Sequence, residues 1–201
     1  MRKYFKALLL VSFMLIINQF LVAQTKDNFF EKQVVVADVN FDNIKDVIQI
    51  YQDTINPKAV YRLEISLAEI DSVGKYEIVS TEKAIKPDFP DAETIDDRFW
   101  SGEMFDRVEV ENGILLIRFN FMRGYYVHKY KFKDNSFELI YVKRVTGSPD
   151  YLEEIDYDLL SGERKTKIQE GSKKPVISKV IHKISPLPKL GEFIPFENKH
   201  Y

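Results

Sequence analysis

Glu111-Asn112-Gly113-Ile114-Leu115-Leu116-Ile117-Arg118-Phe119-Asn120-Phe121, then Met122-Arg123-Gly124, then Tyr125-Tyr126-Val127-His128-Lys129-Tyr130-Lys131-Phe132-Lys133-Asp134-Asn135, reads as strands and turns throughout. Leu115, Ile117, Phe119 and Phe121 share one face, opposite Ile114, Leu116, Arg118 and Asn120. Tyr126, His128, Tyr130 and Phe132 then alternate with Tyr125, Val127, Lys129 and Lys131. A period of two is that of a strand, whose successive side chains leave opposite faces of a sheet. Asn112-Gly113, Arg123-Gly124 and Asp134-Asn135 punctuate the runs. Asn-Gly is the strongest short hairpin signal, because both residues tolerate the positive φ of a type I′ turn. Residues 106–145 are therefore expected to form a four-stranded antiparallel meander.

Outward from this segment the pattern persists. Tyr61, Leu63, Ile65 and Leu67 alternate with Arg62, Glu64 and Ser66. A hairpin around Ser161-Gly162 is expected to join 154–160 to 163–169, and 33–37, 47–51 and 176–184 read as further strands. Helix signals are thin, the best being a short turn within 92–105. Pro87 and Pro90 mark a loop, and Pro186, Pro188 and Pro195 an extended tail. The expected fold is mainly β, an antiparallel meander with few short helices. It forms a single domain over 24–185, followed by an extended tail over 186–201.

The N-terminus reads as a signal peptide over 1–23. Met1-Arg2-Lys3-Tyr4-Phe5-Lys6 is basic, 7–23 is largely apolar, and Leu21-Val22-Ala23-Gln24 supplies the small residue that signal peptidase requires. A retained anchor is the alternative, since such a length lies at the lower limit of a span. The polar pair Asn18-Gln19 and the alanine ending favour cleavage. The chain is thus expected to be periplasmic or secreted, with no membrane insertion after the cut. Cysteine is absent, which an oxidising compartment allows. The cut removes three basic residues and no acidic one, so the net charge of −2 becomes about −5. That balance gives no reason to seek nucleic acid or an anionic membrane. About 180 mature residues can bury roughly 70% of their unfolded surface, enough for one core.

One loop carries a specific chemistry. In Asp38-Val39-Asn40-Phe41-Asp42-Asn43-Ile44-Lys45-Asp46, oxygen side chains fall at the first, third, fifth and ninth places, and the Ile44 carbonyl occupies the seventh. This is the spacing at which a tight loop wraps a hard cation such as calcium. Asp38, Asn40, Asp42, Ile44 and Asp46 are the candidate ligands, with a solvated Asx turn as the other reading. The segment 36–50 resembles the Asp-x-Asn-x-Asp-Gly-x-x-Asp loop of FG-GAP and VCBS-type repeats, departing from it at Phe41 and Asn43. That resemblance implies calcium binding in an extracellular β protein. It does not imply a propeller, which needs several copies of the motif. Over 35–145 the chain also resembles a group of uncharacterised secreted bacterial β-rich proteins.

Catalytic chemistry has little to draw on. No Gly-x-Ser-x-Gly elbow occurs, and His128, His182 and His200 have no metal-pair spacing. His128, sharing its face with aromatic residues, reads as a packed side chain. Acids are plentiful and their separation is spatial, so Asp96-Asp97, Glu153-Glu154 and Asp156/Asp158 are weak candidates for glycan hydrolysis. Trp100, with Arg98 beside it, either plugs the sheet or anchors a partner. The run 163–167 and Lys173-Lys174 read as a solvated, lysine-guarded sheet edge. Three functions follow. The first is a non-catalytic binding or structural module for a protein or glycan, with calcium as a structural part. The second is an inhibitor or immunity-type protein for an extracytoplasmic partner, and the third a carboxylate-dependent hydrolase.

Overall fold

A computed structural model describes residues 28–53, 55, 61–68, 76–81, 105–121 and 123–192. The expected signal segment, Trp100, Arg98, Asp96-Asp97, His200 and the expected turn within 92–105 lie outside the described residues. Those residues form eleven strands: β1 (Phe29–Ala37), β2 (Asp46–Asp53), β3 (Tyr61–Ala68), β4 (Tyr76–Thr81), β5 (Phe105–Glu111), β6 (Ile114–Phe121), β7 (Gly124–Lys133), β8 (Ser136–Ser148), β9 (Tyr151–Asp158), β10 (Glu163–Glu170) and β11 (Val176–Ile181). No helix occurs among them. The fold is all-β and antiparallel, as the alternation implied.

The described residues form two meanders. One sheet runs β1-β2-β3-β4 and the other β11-β10-β9-β8-β7-β6-β5. Short loops favour sequential neighbours, and the turn residues adopt the conformations their chemistry favours: Asn112 (φ 50°), Gly113 (φ 70°), Asp134 (φ 49°) and Asn135 (φ 55°) are all left-handed. The two sheets share one core. Ile48, Ile50, Leu63 and Ile65 come from the smaller sheet, and Leu115, Ile117, Phe119, Tyr130, Val142, Ile155 and Tyr157 from the larger.

The sheets meet along β1 and β5, and both strands are irregular there. The register of β1 slips between Glu31 and Gln33, that of β5 between Phe105 and Arg107. Bulges turn a strand edge aside, and the Gln33 carboxamide closes the gap. Its Nε2 donates to the Val108 carbonyl at 2.7 Å, and its Oε1 accepts from the Val108 amide at 2.9 Å. One side chain thus does what a neighbouring strand would do for a residue 1% exposed. Gln33→Leu is expected to cost about 2–4 kcal/mol, because both Val108 groups are left unpaired in the seam. Urea denaturation at pH 7 measures it, and faster hydrogen exchange at the Val108 amide localises it.

The larger sheet outruns its cover. Seven strands at about 4.8 Å spacing are wider than four by three strand widths. Burial falls accordingly from β9, where Ile155 and Tyr157 are fully enclosed, through half-buried β10, to β11, whose six residues are all exposed. This corrects the expected guarded edge at 163–167. Those residues belong to β10, which pairs with β9 and β11 on its two sides. The edge itself is β11, and it carries one lysine in six residues.

The final described residues do not leave the domain at 185. The Leu139 amide donates to the Pro188 carbonyl and the Leu190 amide to the Phe137 carbonyl, both at 2.8 Å. Leu187 and Leu190 pack on the core. Proline lacks only a donor, and the Pro188 carbonyl still pairs with a strand; Pro195 and the rest of the expected tail lie outside the described residues. The strand expected over 176–184 ends at Ile181. There the His182 amide turns to the Gly162 carbonyl and the His182 carbonyl accepts from Tyr157 Oη.

Candidate functional site

The loop 38–46 joins β1 to β2, and its oxygens are turned largely onto its own backbone. Asp38 Oδ1 accepts from the amides of Asn40 (3.3 Å) and Phe41 (2.7 Å), and its Oδ2 from Asn43 (3.0 Å). Asn40 Oδ1 accepts from the Asp42 amide, and Asp42 Oδ1 from the Ile44 amide at 2.7 Å. Asn40 Nδ2 donates to Asp42 Oδ2 at 2.9 Å. These are successive Asx turns, the use to which short carboxylates are put wherever amides lack strand partners.

Asp46 has a different task. It is fully buried. Its Oδ2 accepts from the Val39 amide at 2.9 Å and its Oδ1 from the Ala68 amide at 3.0 Å, so one carboxylate ties the loop to the end of β3. Burial pushes its pKa above the ordinary value. The two amides pull it back, and the charges of Asp42 and Asp38 push it up again.

Among the described residues, no group of three or more His, Cys, Asp or Glu side chains is arranged to hold a metal ion. The donor set is nonetheless all oxygen, which suits calcium chemically. An oxygen that accepts one amide keeps a further lone pair. Asn40 Oδ1, which accepts from the Asp42 amide, keeps one in the same way.

Two loop residues adopt left-handed backbone, Phe41 and Asn43, both at φ 66°. Asn43 tolerates this and phenylalanine does not. The Phe41 ring lies over Gly113 in the β5–β6 turn, and a Cβ added at Gly113 would stand 2.5 Å from the ring's Cζ. The two loops therefore interlock: Gly113 supplies both the positive φ of its own turn and the floor under Phe41. Gly113→Ala is expected to lose about 1–3 kcal/mol from strain and overlap together. Phe41→Gly should relieve a strained backbone and restore part of that loss, a coupling that a double-mutant cycle read by denaturation measures.

The carboxylates considered for hydrolysis lie in the sheet. Glu153 and Glu154 leave opposite faces of β9, Glu153 paired with Arg144 and Glu154 with Lys167 at 2.8 Å. Asp156 accepts from Tyr141 Oη and meets Lys143 at 3.4 Å. Asp158 accepts from the amides of Leu160 and Ser161 in the turn to β10. His128 is enclosed by Phe119, Tyr126 and Tyr130, its ring centroid 5.5, 6.4 and 6.5 Å from theirs, and burial lowers its pKa to about 3.

Sequence reading did not single out β11. Val176, Ile177, Val180 and Ile181 are 54–68% exposed, on a strand that ends the sheet. Their pairwise spacing does not follow the period of two, and that departure was the available signal. Comparison with protein-family models, with curated proteins and with solved structures finds no match.

Proposed function

We propose that the protein is an exported, non-catalytic binding module, periplasmic or secreted, whose acidic loop holds calcium as a structural brace. The observation that carries the binding role is the uncovered end of the large sheet. It presents four large apolar side chains to water on a strand pinned at its C-terminal end by His182. Large apolar side chains left exposed on both faces of an edge strand mark an interaction site. Affinity capture from the native envelope tests it, with the mature protein beside an Ile177→Lys/Val180→Lys variant. A partner retained by the first and lost by the second is the expected result. Equal capture by both would remove β11 from the function.

Calcium is supported by the all-oxygen donor set and by mutual repulsion among Asp38, Asp42 and Asp46, which a divalent cation would relieve. Because Asp46 also ties the loop to β3, an ion there would brace both the loop and the small sheet. Calcium at a hundredfold excess over its dissociation constant is expected to add about 2.7 kcal/mol to unfolding. Asp42→Ala should abolish that gain while remaining folded in chelator. A melting temperature indifferent to millimolar calcium would leave the loop as a set of Asx turns.

A further inference from the structure

We propose that β11 is an edge for strand addition and that its guest is an extended acidic polypeptide; this rests on the binding role above and names the partner's chemistry. Beyond Leu159, the hairpin of β10 and β11 extends past the four-stranded sheet with no core of its own. Two strands alone are marginal in water. A third strand laid along β11 would pair its outer backbone groups and cover its apolar side chains on both faces at once. The register distributes them evenly. Val176 and Val180 lie on one face, opposite Ile168 and Arg164, and Ile177 lies on the other, opposite Lys167. A guest with apolar residues at alternate positions meets apolar neighbours whichever face it presents.

Charge selects among guests. Residues 163–183 hold seven Lys or Arg and two Glu, a local excess of five positive charges in a chain whose net charge is −2. Glu163 and Glu170 are already in that count, paired with Lys179 at 3.0 Å and Lys173 at 2.8 Å, and Glu154 of β9 takes up Lys167 at 2.8 Å. The remaining excess of four positive charges attracts an acidic guest and repels a second copy of the same basic edge. An anionic polysaccharide would answer the charge but make no use of Val176, Ile177, Val180 and Ile181 or of an open backbone edge. An acidic polypeptide answers all three.

The test uses the mature protein and capped peptides of about ten residues, a length that spans such an edge. One peptide alternates glutamate with valine, a second alternates lysine with valine, and a third is the first with alternate amides N-methylated. By isothermal titration at low salt the glutamate peptide is expected to bind at least about tenfold more tightly than the lysine peptide. The N-methylated form should lose binding, and hydrogen exchange should slow at 176–181. Lys179→Glu should weaken the glutamate peptide several-fold while lowering the melting temperature only slightly, since the pair with Glu163 that it breaks is exposed. Equal affinity for both charges, protection elsewhere in the sheet, or N-methylated peptide binding unimpaired would each overturn the proposal. So would retention on phosphatidylglycerol vesicles or an acidic polysaccharide without peptide binding, or dimerisation through β11. If β11-dependent capture from the envelope persists while the peptides fail, only the partner's chemistry falls; if that capture fails too, the binding role falls with it.

Discussion

Asp46→Ala is expected to destabilise the fold by about 2–5 kcal/mol, among the largest effects of any single truncation in the smaller sheet. The loss does not come from an ion pair. It comes from two amides, Val39 and Ala68, that have the Asp46 oxygens as acceptors and would be left facing a methyl group. Each buried donor deprived of its partner costs about 1–3 kcal/mol. Val39 is itself a fully buried core residue, so water cannot readily replace the lost acceptor. The isosteric change Asp46→Asn would satisfy one amide and set the new NH2 group against the other, recovering only part of the loss. Urea denaturation in chelator measures the change without any contribution from calcium. Accelerated exchange at the Val39 and Ala68 amides distinguishes it from a general loosening. A loss below about 1 kcal/mol would mean that the loop end finds other acceptors.

The pH dependence of that anchor has a definite sign. The Asp46 pKa is raised in the folded state, burial being the largest cause, so the fold is held less well by the ionised carboxylate than by the protonated acid. Its contribution is fully present below the unfolded carboxylate range and lost as the pH rises through the raised folded value. A cation bound to the loop would act in the other direction and lower the pKa. Following the Asp46 carboxyl by carbon NMR with and without calcium therefore reports ion binding independently of any melting curve.

What the sequence made legible and what it hid divide along physical lines. Asn112-Gly113 and Asp134-Asn135 were readable because positive φ restricts residue type severely, and the structure has positive φ at all four. The face shared by Leu115, Ile117 and Phe119 was readable because one sheet face must be apolar, and these three are fully buried. Gln33 was not readable. Nothing local distinguishes a carboxamide that pairs with a strand 75 residues away from one in water. β4 was not readable either: it is only six residues long, although Asp71-Ser72-Val73-Gly74 before it reads as a turn cluster. The spacing of Asp38, Asn40, Asp42 and Asp46 was plain, but a carboxylate oxygen accepts an amide or a cation with equal facility, so spacing alone does not decide its partner. The exposure of β11 depends on how many strands the other sheet has to cover it, a property of the assembled fold rather than of residues 176–181.

His128 supplies the largest pH effect. Its side chain is fully buried among Phe119, Tyr126 and Tyr130, and desolvation lowers its pKa to about 3 against an ordinary 6.5. The folded protein therefore keeps it neutral while the unfolded chain takes up a proton. For a depressed folded pKa the stabilisation is fully present above about 6.5 and is lost progressively as the pH falls towards about 3. Each unit in that window is worth about 1.4 kcal/mol, so the fold should lose about 3 kcal/mol from this residue between pH 7 and pH 4.5. Other groups titrate in the same range: Asp46 acts in the opposite sense, and Glu109, lowered by its hydrogen bonds to Arg107 and Arg118, acts in the same one. The comparison that isolates His128 is therefore a difference. His128→Leu should start about 1–2 kcal/mol less stable at pH 7, through imperfect filling of the space, and then lose less than the wild type on acidification. The two stability curves should converge or cross near pH 5. Parallel curves from pH 7 to pH 4 would mean that the imidazole reaches water in the native state and takes its proton there.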